Sequence, residues 1–216
     1  LLKALDEQIK FRFLRADALS SLAPLLSKEL LPQALTAARD IQDERYRADA
    51  LSSLAPLLPL KLLPQALTAA MEIQSGTYRA DALSSLAPLL PLELLPQALT
   101  AARDIQDESS RADALSSLAP LLPLELLPQA LTAAMEIQSG TYRAYALSSL
   151  ADKLSQIQKT LLFDYWRDTL HILSVQTRPN LLSDIKALTP VIFALGGQKA
   201  VKNTASGIQD VSRWWG

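Results

Sequence analysis

The sequence predicts an all-α fold, a right-handed α-solenoid of stacked antiparallel helical hairpins. Three observations carry that expectation. The words RADALSSLAPLL at Arg47 return at Arg15, Arg79 and Arg111, and in decayed form at Arg143, a 32-residue period typical of stacked repeats. Within a repeat, Leu51, Leu54, Ala55 and Leu58 fall at helical spacing, as do Leu63, Ala66, Leu67, Ala70 and Ile73, with no strand-like alternation. A further row of Leu62, Ala66, Ala69 and Ile73 makes the second helix apolar on two sides, so it needs neighbours on two sides.

Proline supplies the punctuation. Pro59 ends the first helix and suits the first turn of the second. Pro56 removes the backbone bond to Ser52 and loosens the first helix at its end, while Pro64 is expected in the first turn of the second helix or at a kink.

In chain order, residues 1–14 match the second half of a repeat, with Ile9 in the frame of Ile41. The chain therefore reads as a fragment of a longer protein that starts within a second helix. Leu1, Leu2 and Leu5 are not the polar cap of a solenoid end, which points to end-to-end self-association through that edge unless Phe11 and Phe13 cover it. Residues 15–142 hold four near-identical repeats. Their second-helix tails alternate between ARDIQDE, at Ala38 and Ala102, and AMEIQSG, at Ala70 and Ala134, so the recent repeat is a 64-residue pair. The repeats at Arg47 and Arg111 differ only at Lys61 against Glu125. Residues 143–216 read as two divergent repeats forming a C-terminal cap. There Tyr145 replaces an aspartate, Phe163, Tyr165 and Trp166 enrich a second helix, and Arg178, Leu182, Ile185, Leu188 and Pro190 echo a first helix. IQDVSR at Ile208 echoes IQDESS at Ile105, and Trp214 and Trp215 close the chain.

Composition narrows function. A net charge of −1 argues against a nucleic-acid or anionic-membrane surface. The absence of cysteine excludes disulfides and cysteine-based metal sites and fits a cytoplasmic location. No long apolar run predicts a membrane span. A lone histidine, His171, with no strained nucleophile turn around any serine, offers neither a Ser-His-Asp triad nor a zinc site. The chain is thus expected to be no enzyme and to hold no cofactor.

The RADALSSLAPLLP…ELLPQALTAARDIQDE repeat and the tail LLSDIKALTPVIFALGG…IQDVSRWW resemble the C-terminal helical repeats of bacterial, especially cyanobacterial, STAND-class signalling ATPases and related caspase-like multidomain proteins. The resemblance covers essentially the whole chain. It implies a TPR-like array that senses a protein or peptide partner on behalf of an upstream NTPase, whose own motifs are absent from these residues.

The candidate recognition flank is the alternating position Arg39, Met71, Arg103 and Met135, since surface methionine is adaptable contact area. Arg15/Asp17, Arg47/Asp49, Arg79/Asp81 and Arg111/Asp113 form a repeated ladder, expected to be structural salt bridging helped by Asp43 to Arg47 rather than a binding edge. Lys61, Gln65, Thr68 and Glu72 form a solvated stripe, and Gln65, Thr68 and Gln74 are free to vary, although Gln97, Thr100 and Gln106 repeat them. Ser52 and Ser53 are assigned to packing, and Tyr46, Tyr78 and Tyr142 to staples ahead of the first helix. Gly196–Lys199 reads as an inter-helix turn more than an anion cradle. Gly76 and Gly140 are placed at the exit of the second helix, where Glu44 and Glu108 alternate with them; φ is expected to stay negative there unless the two loop types differ in shape. Function divides into a non-catalytic recognition array at the sensor end of a signalling protein, an engineered or consensus scaffold without native ligand, and an enzyme, the last lacking any convergent acid, base and nucleophile.

Overall fold

The computed structural model describes residues 19 and 21–214, without the side chains of 212 and 214. Expectations for residues 1–14, for Arg15 and Asp17, and for Trp215 lie outside the described residues. The contacts divide the chain into two compact units, Leu1–Leu121 and Leu122–Gly216. Among the described residues all regular structure is helical, with no strand.

The first unit contains α1 (Leu31–Arg39), α2 (Glu44–Leu54), α3 (Leu63–Met71), α4 (Gly76–Leu86), α5 (Leu95–Arg103) and α6 (Glu108–Leu118). Each even-numbered helix starts three residues before its RADALSSL arginine. At α2 the reason is Asp43, whose Oδ1 accepts the N–H groups of Arg45 at 3.1 Å and Tyr46 at 3.2 Å, satisfying donors that the helix itself cannot. Tyr46 and Tyr78 therefore lie inside the first turn and not ahead of it, and Gly76 opens α4 where the sequence placed it at an exit.

Pro56 acts as expected. It has no N–H for Ser52, and α2 ends at Leu54 and tightens into a 3₁₀ turn, Ala55–Leu57. Pro59 does not start the second helix: it is extended (φ −68°, ψ 154°) and precedes another 3₁₀ turn, Leu60–Leu62, and it is Pro64 that occupies the first turn of α3. No residue other than glycine has positive φ among those described, and Gly197 is the one glycine that does, so the loops at 44, 76, 108 and 140 keep φ negative.

The apolar rows are buried as the spacing predicts, except Leu58, which is extended beyond the 3₁₀ turn and only half-buried. Leu51, Leu54, Ala55, Ala66, Leu67, Ala69, Ala70 and Ile73 are fully buried, with Leu63 at 1% and Leu62 at 8% exposure. Each such leucine contributes about 1.5–3 kcal/mol by leaving water. The close helix pairs are α1 with α2, α3 with α4 and α5 with α6, joined by short loops, while α2, α4 and α6 pack in series. Across the proline-bearing segments, α2 touches α3 and α4 touches α5 only lightly. Among helices adjacent in the chain, the tighter pair is thus a second helix with the first helix that follows it, and the first helices pack closely on one another as well.

The second unit contains α7 (Leu127–Met135), α8 (Gly140–Leu154), α9 (Lys159–Leu173), α10 (Arg178–Ala187) and α11 (Thr189–Trp214). Asp152 stands where earlier repeats have Pro56, Pro88 and Pro120, so α8 continues as regular helix to Leu154. The closest packing of this unit is α8 on α10. A β-carbon at Gly140 would lie 2.9 Å from Asn180 Cβ, closer than side chains normally approach, so glycine suits that approach. α11 breaks at Gly196 (φ −144°) and Gly197 (φ 63°, ψ −160°), which is the inter-helix turn expected there. Leu188 lies between α10 and α11, outside the first-helix echo it was placed in. No helix among the described residues is long and apolar enough to cross a membrane.

Candidate recognition surfaces

The proposed flank is less open than its sequence implies. Arg39 Nε donates to Glu72 Oε2 at 2.8 Å and a second guanidinium nitrogen meets Oε1, so this arginine is committed to the next repeat. The hydrogen bond and then the charge raise Arg39 above its usual range, and the same hydrogen bond first of all lowers Glu72. Met71 is half-buried and Arg103 exposed. Met135 is only 7% exposed, on a helix against which α8 and α9 pack, so it is not the surface methionine expected.

The arginine ladder is real as a row but does not pair with aspartate. Arg47, Arg79 and Arg111 each turn Nε back to the carbonyl of Ile41, Ile73 and Ile105, at 2.8, 2.7 and 2.7 Å, closing the end of the preceding helix. Asp43, expected to bridge Arg47, caps its own helix instead. Asp49, Asp81 and Asp113 are exposed on the other side. Although its side chain is exposed, partial desolvation by neighbouring atoms chiefly, and then the charges of Asp49 and Asp113, raise the Asp81 carboxyl.

Residues judged free to vary have local duties. Thr36, Thr68, Thr100 and Thr132 each donate Oγ1 to the carbonyl of the proline four residues before, at 2.9–3.0 Å. Gln42, Gln74 and Gln106 donate Nε2 to the carbonyls of Asp40, Glu72 and Asp104 at 3.1–3.3 Å. The serine pairs pack as expected: Ser85 Oγ donates to Ser52 Oγ at 2.9 Å and Ser117 Oγ to Ser84 Oγ at 2.8 Å.

The second unit holds features that repeat matching missed. Arg143, the decayed counterpart of Arg47, is 1% exposed. Its Nη1 donates to the Ile137 carbonyl at 2.8 Å and the Gln138 carbonyl at 3.2 Å, and Nε and Nη2 hold Asp184 Oδ2 at 3.0 and 2.8 Å. Asp184 Oδ1 is buried with no partner, and burial raises this carboxyl against the opposing pull of Arg143. One signal in the sequence marks the site: in the frame of Arg178, Asp184 takes the place of Ser53 in the frame of Arg47, so a charge replaces a small packing residue.

Two clefts flank Thr204 of α11. One, of about 690 Å³, lies between α9 and α11 and is lined by Lys159, Phe163, Trp166, Ile192, Leu195 and Ala200, among others. The other, of about 550 Å³, lies between α10 and α11 and is lined mainly by Leu181, Leu182, Ile208 and Val211. Phe163 is 57% and Val211 59% exposed at their rims. His171 is an exposed residue of α9, and no group of three metal-ligating side chains gathers among the described residues. No family model, curated protein or solved structure matches the chain.

Proposed function

We propose that this chain is a non-catalytic recognition array. In this reading it is a right-handed α-solenoid of stacked antiparallel hairpins with a 32-residue period and a 64-residue super-repeat. It forms the sensor end of a larger cytoplasmic signalling protein of the STAND type and takes a protein or peptide partner. The observation that carries it is the repetition of contacts, not only of letters: Arg47, Arg79 and Arg111 make the same bond to Ile41, Ile73 and Ile105. Such a series supplies a firm frame, and the aromatic, apolar cleft lined by Phe163 and Trp166 supplies the unequal chemistry that recognition needs.

The second reading, an engineered or consensus scaffold with no ligand of its own, is favoured by the single difference between the repeats at Arg47 and Arg111. The threonine and glutamine hydrogen bonds to backbone weaken it, because they give solvent-facing positions a reason to recur. One experiment separates the two readings. The reading frame that encodes these residues is expected to carry an NTPase module whose ATPase rate changes several-fold when this array is deleted. Absence of such a module, or an unchanged rate, overturns the sensor reading.

A further inference from the structure

The two loop types make unequal junctions between successive helix pairs of the first unit. Arg39 and Glu44 flank the α1–α2 loop and reach onto the α3–α4 loop. Arg39 holds the Glu72 carboxylate, while the Glu44 carboxylate accepts the N–H of Gln74 at 2.7 Å and of Ser75 at 2.8 Å. One junction further on, Met71 and Gly76 stand in the places of Arg39 and Glu44, and the facing loop carries Asp104 and Asp107.

That second junction leaves less space for the first arrangement. A β-carbon on Gly76 would come 2.9 Å from Ile105 Cγ2, so something there must shift, with Asp107 Cβ beside it at ordinary contact distance, 3.4 Å. A glutamate there would also bring its charge to Asp107, whose Oδ1 is occupied by the N–H of Ser110 at 2.8 Å and its hydroxyl at 2.6 Å. In place of ionic bonds this junction has the hydroxyls of Thr77 and Ser110 at 3.3 Å.

We infer that the alternation keeps the repeats in order: a helix pair with the Arg39–Glu44 type of loop accepts after it a pair with the Met71–Gly76 type and rejects its own kind. Near-identical repeats are prone to pair out of register, and this device distinguishes neighbours whose apolar faces are the same. It also gives a physical reason for the repeat's being a 64-residue pair.

Two deletions in the full chain test this. Removing residues 63–94 joins Leu62 to Leu95 and places the Arg39–Glu44 loop before another of its kind, Arg103–Glu108. Removing residues 63–126 joins Leu62 to Leu127 and restores a Met–Gly loop, Met135–Gly140, as the neighbour. Repeat arrays ordinarily lose stability with every repeat removed. The longer deletion is nevertheless expected to melt at least roughly 5 °C above the shorter one. A shorter deletion as stable as the longer one overturns the inference. Point variants decide the matter if the deletions do not fold. Gly76→Glu is expected to lower the melting midpoint more than Gly76→Ala. Asp107→Ser is expected to return at least about 2 °C of that loss, beyond its effect in the otherwise unchanged chain. No coupling between the two substitutions overturns the inference equally.

Discussion

Arg143 Nη2 lies 2.8 Å from Asp184 Oδ2, and the two side chains are 1% and 0% exposed, so helices α8 and α10 are joined through a desolvated ion pair. Removing one partner of such a pair strands the other charge and costs about 3–5 kcal/mol, whereas an apolar pair of similar volume is often neutral. Asp184→Ala is therefore expected to cost about that amount in denaturant unfolding. Arg143→Met with Asp184→Leu should recover at least half of it, although the Ile137 and Gln138 carbonyls lose their donor. A double variant no more stable than Asp184→Ala would show that the pair's specific geometry matters more than its desolvation.

Glu44 is a second point of attachment, and its effect depends on pH. Hydrogen bonding from the Gln74 N–H is the largest cause that lowers its carboxyl, followed, after an opposing effect of burial, by the Ser75 N–H and the charges of Arg47 and Arg79. A carboxyl lowered on folding contributes stability above the unfolded value, about 4.3, and loses it as pH falls through the lower folded value. Glu44→Ala should cost about 0.5–1.5 kcal/mol at pH 7, the scale of partly exposed hydrogen bonds. The difference from the unchanged chain should begin to close as pH falls towards the unfolded value, about 4.3, and be gone once pH lies below the lowered folded value. Hydrogen exchange should quicken at Gln74 and Ser75 in the variant and stay unchanged at Ile41.

How much of this was open to reading from the chain depends on the kind of contact. The buried rows of Leu51, Leu54, Leu63 and Leu67 are legible because helical spacing alone assigns them a face. The break at Pro56 is legible because a missing N–H acts locally. The tight pairing of α1 with α2 is not, because a repeat has no intrinsic starting point and the frame opened at RADALSSL divides that pair between two repeats. Asp43 is an N-cap whose competition with an i, i+4 partner only the backbone decides. Met135 and Asp184 are harder still: α8 and α9 pack against the helix of Met135, and Asp184 is buried where α10 packs on α8, and α9 and α10 lie outside the near-identical repeats. The duties of Thr68 and Gln74 are short-range backbone bonds that look like solvated surface in a residue pattern.

The acidic row should act against stability. Asp81 is raised by partial desolvation and by the charges of Asp49 and Asp113, so the folded state holds its proton more tightly than the unfolded chain does. Stability from such a group is full below the unfolded value, about 3.9, and is lost as pH rises through the folded value. Asp81→Asn is accordingly expected to stabilise the chain at pH 7 by about 0.2–0.5 kcal/mol, the scale of neighbouring like charges on helices. Thermal melts should show the gain shrinking in 1 M salt and vanishing near pH 3. A gain unchanged by salt would point to packing instead.

Gly140 sets two rules against each other. Where the backbone suits both, alanine stabilises a chain relative to glycine by about 0.4–1 kcal/mol, and φ at this first position of α8 is negative, so local preference favours Gly140→Ala. The neighbour opposes it: the added carbon would sit 2.2 Å from Asn180 Oδ1, 2.3 Å from its Cγ and 2.9 Å from its Cβ. Rotating the amide away relieves the first two contacts but not the third, which belongs to the α10 backbone's own geometry. Forced contacts of this kind cost about 1–3 kcal/mol, more than the local preference returns. Gly140→Ala is expected to be net destabilising in denaturant melts, and Asn180→Gly in the same chain should return most of the loss specific to the alanine. If Gly140→Ala is instead stabilising, α10 can shift away from α8, and the Arg143–Asp184 pair that spans the same two helices should then weaken with it.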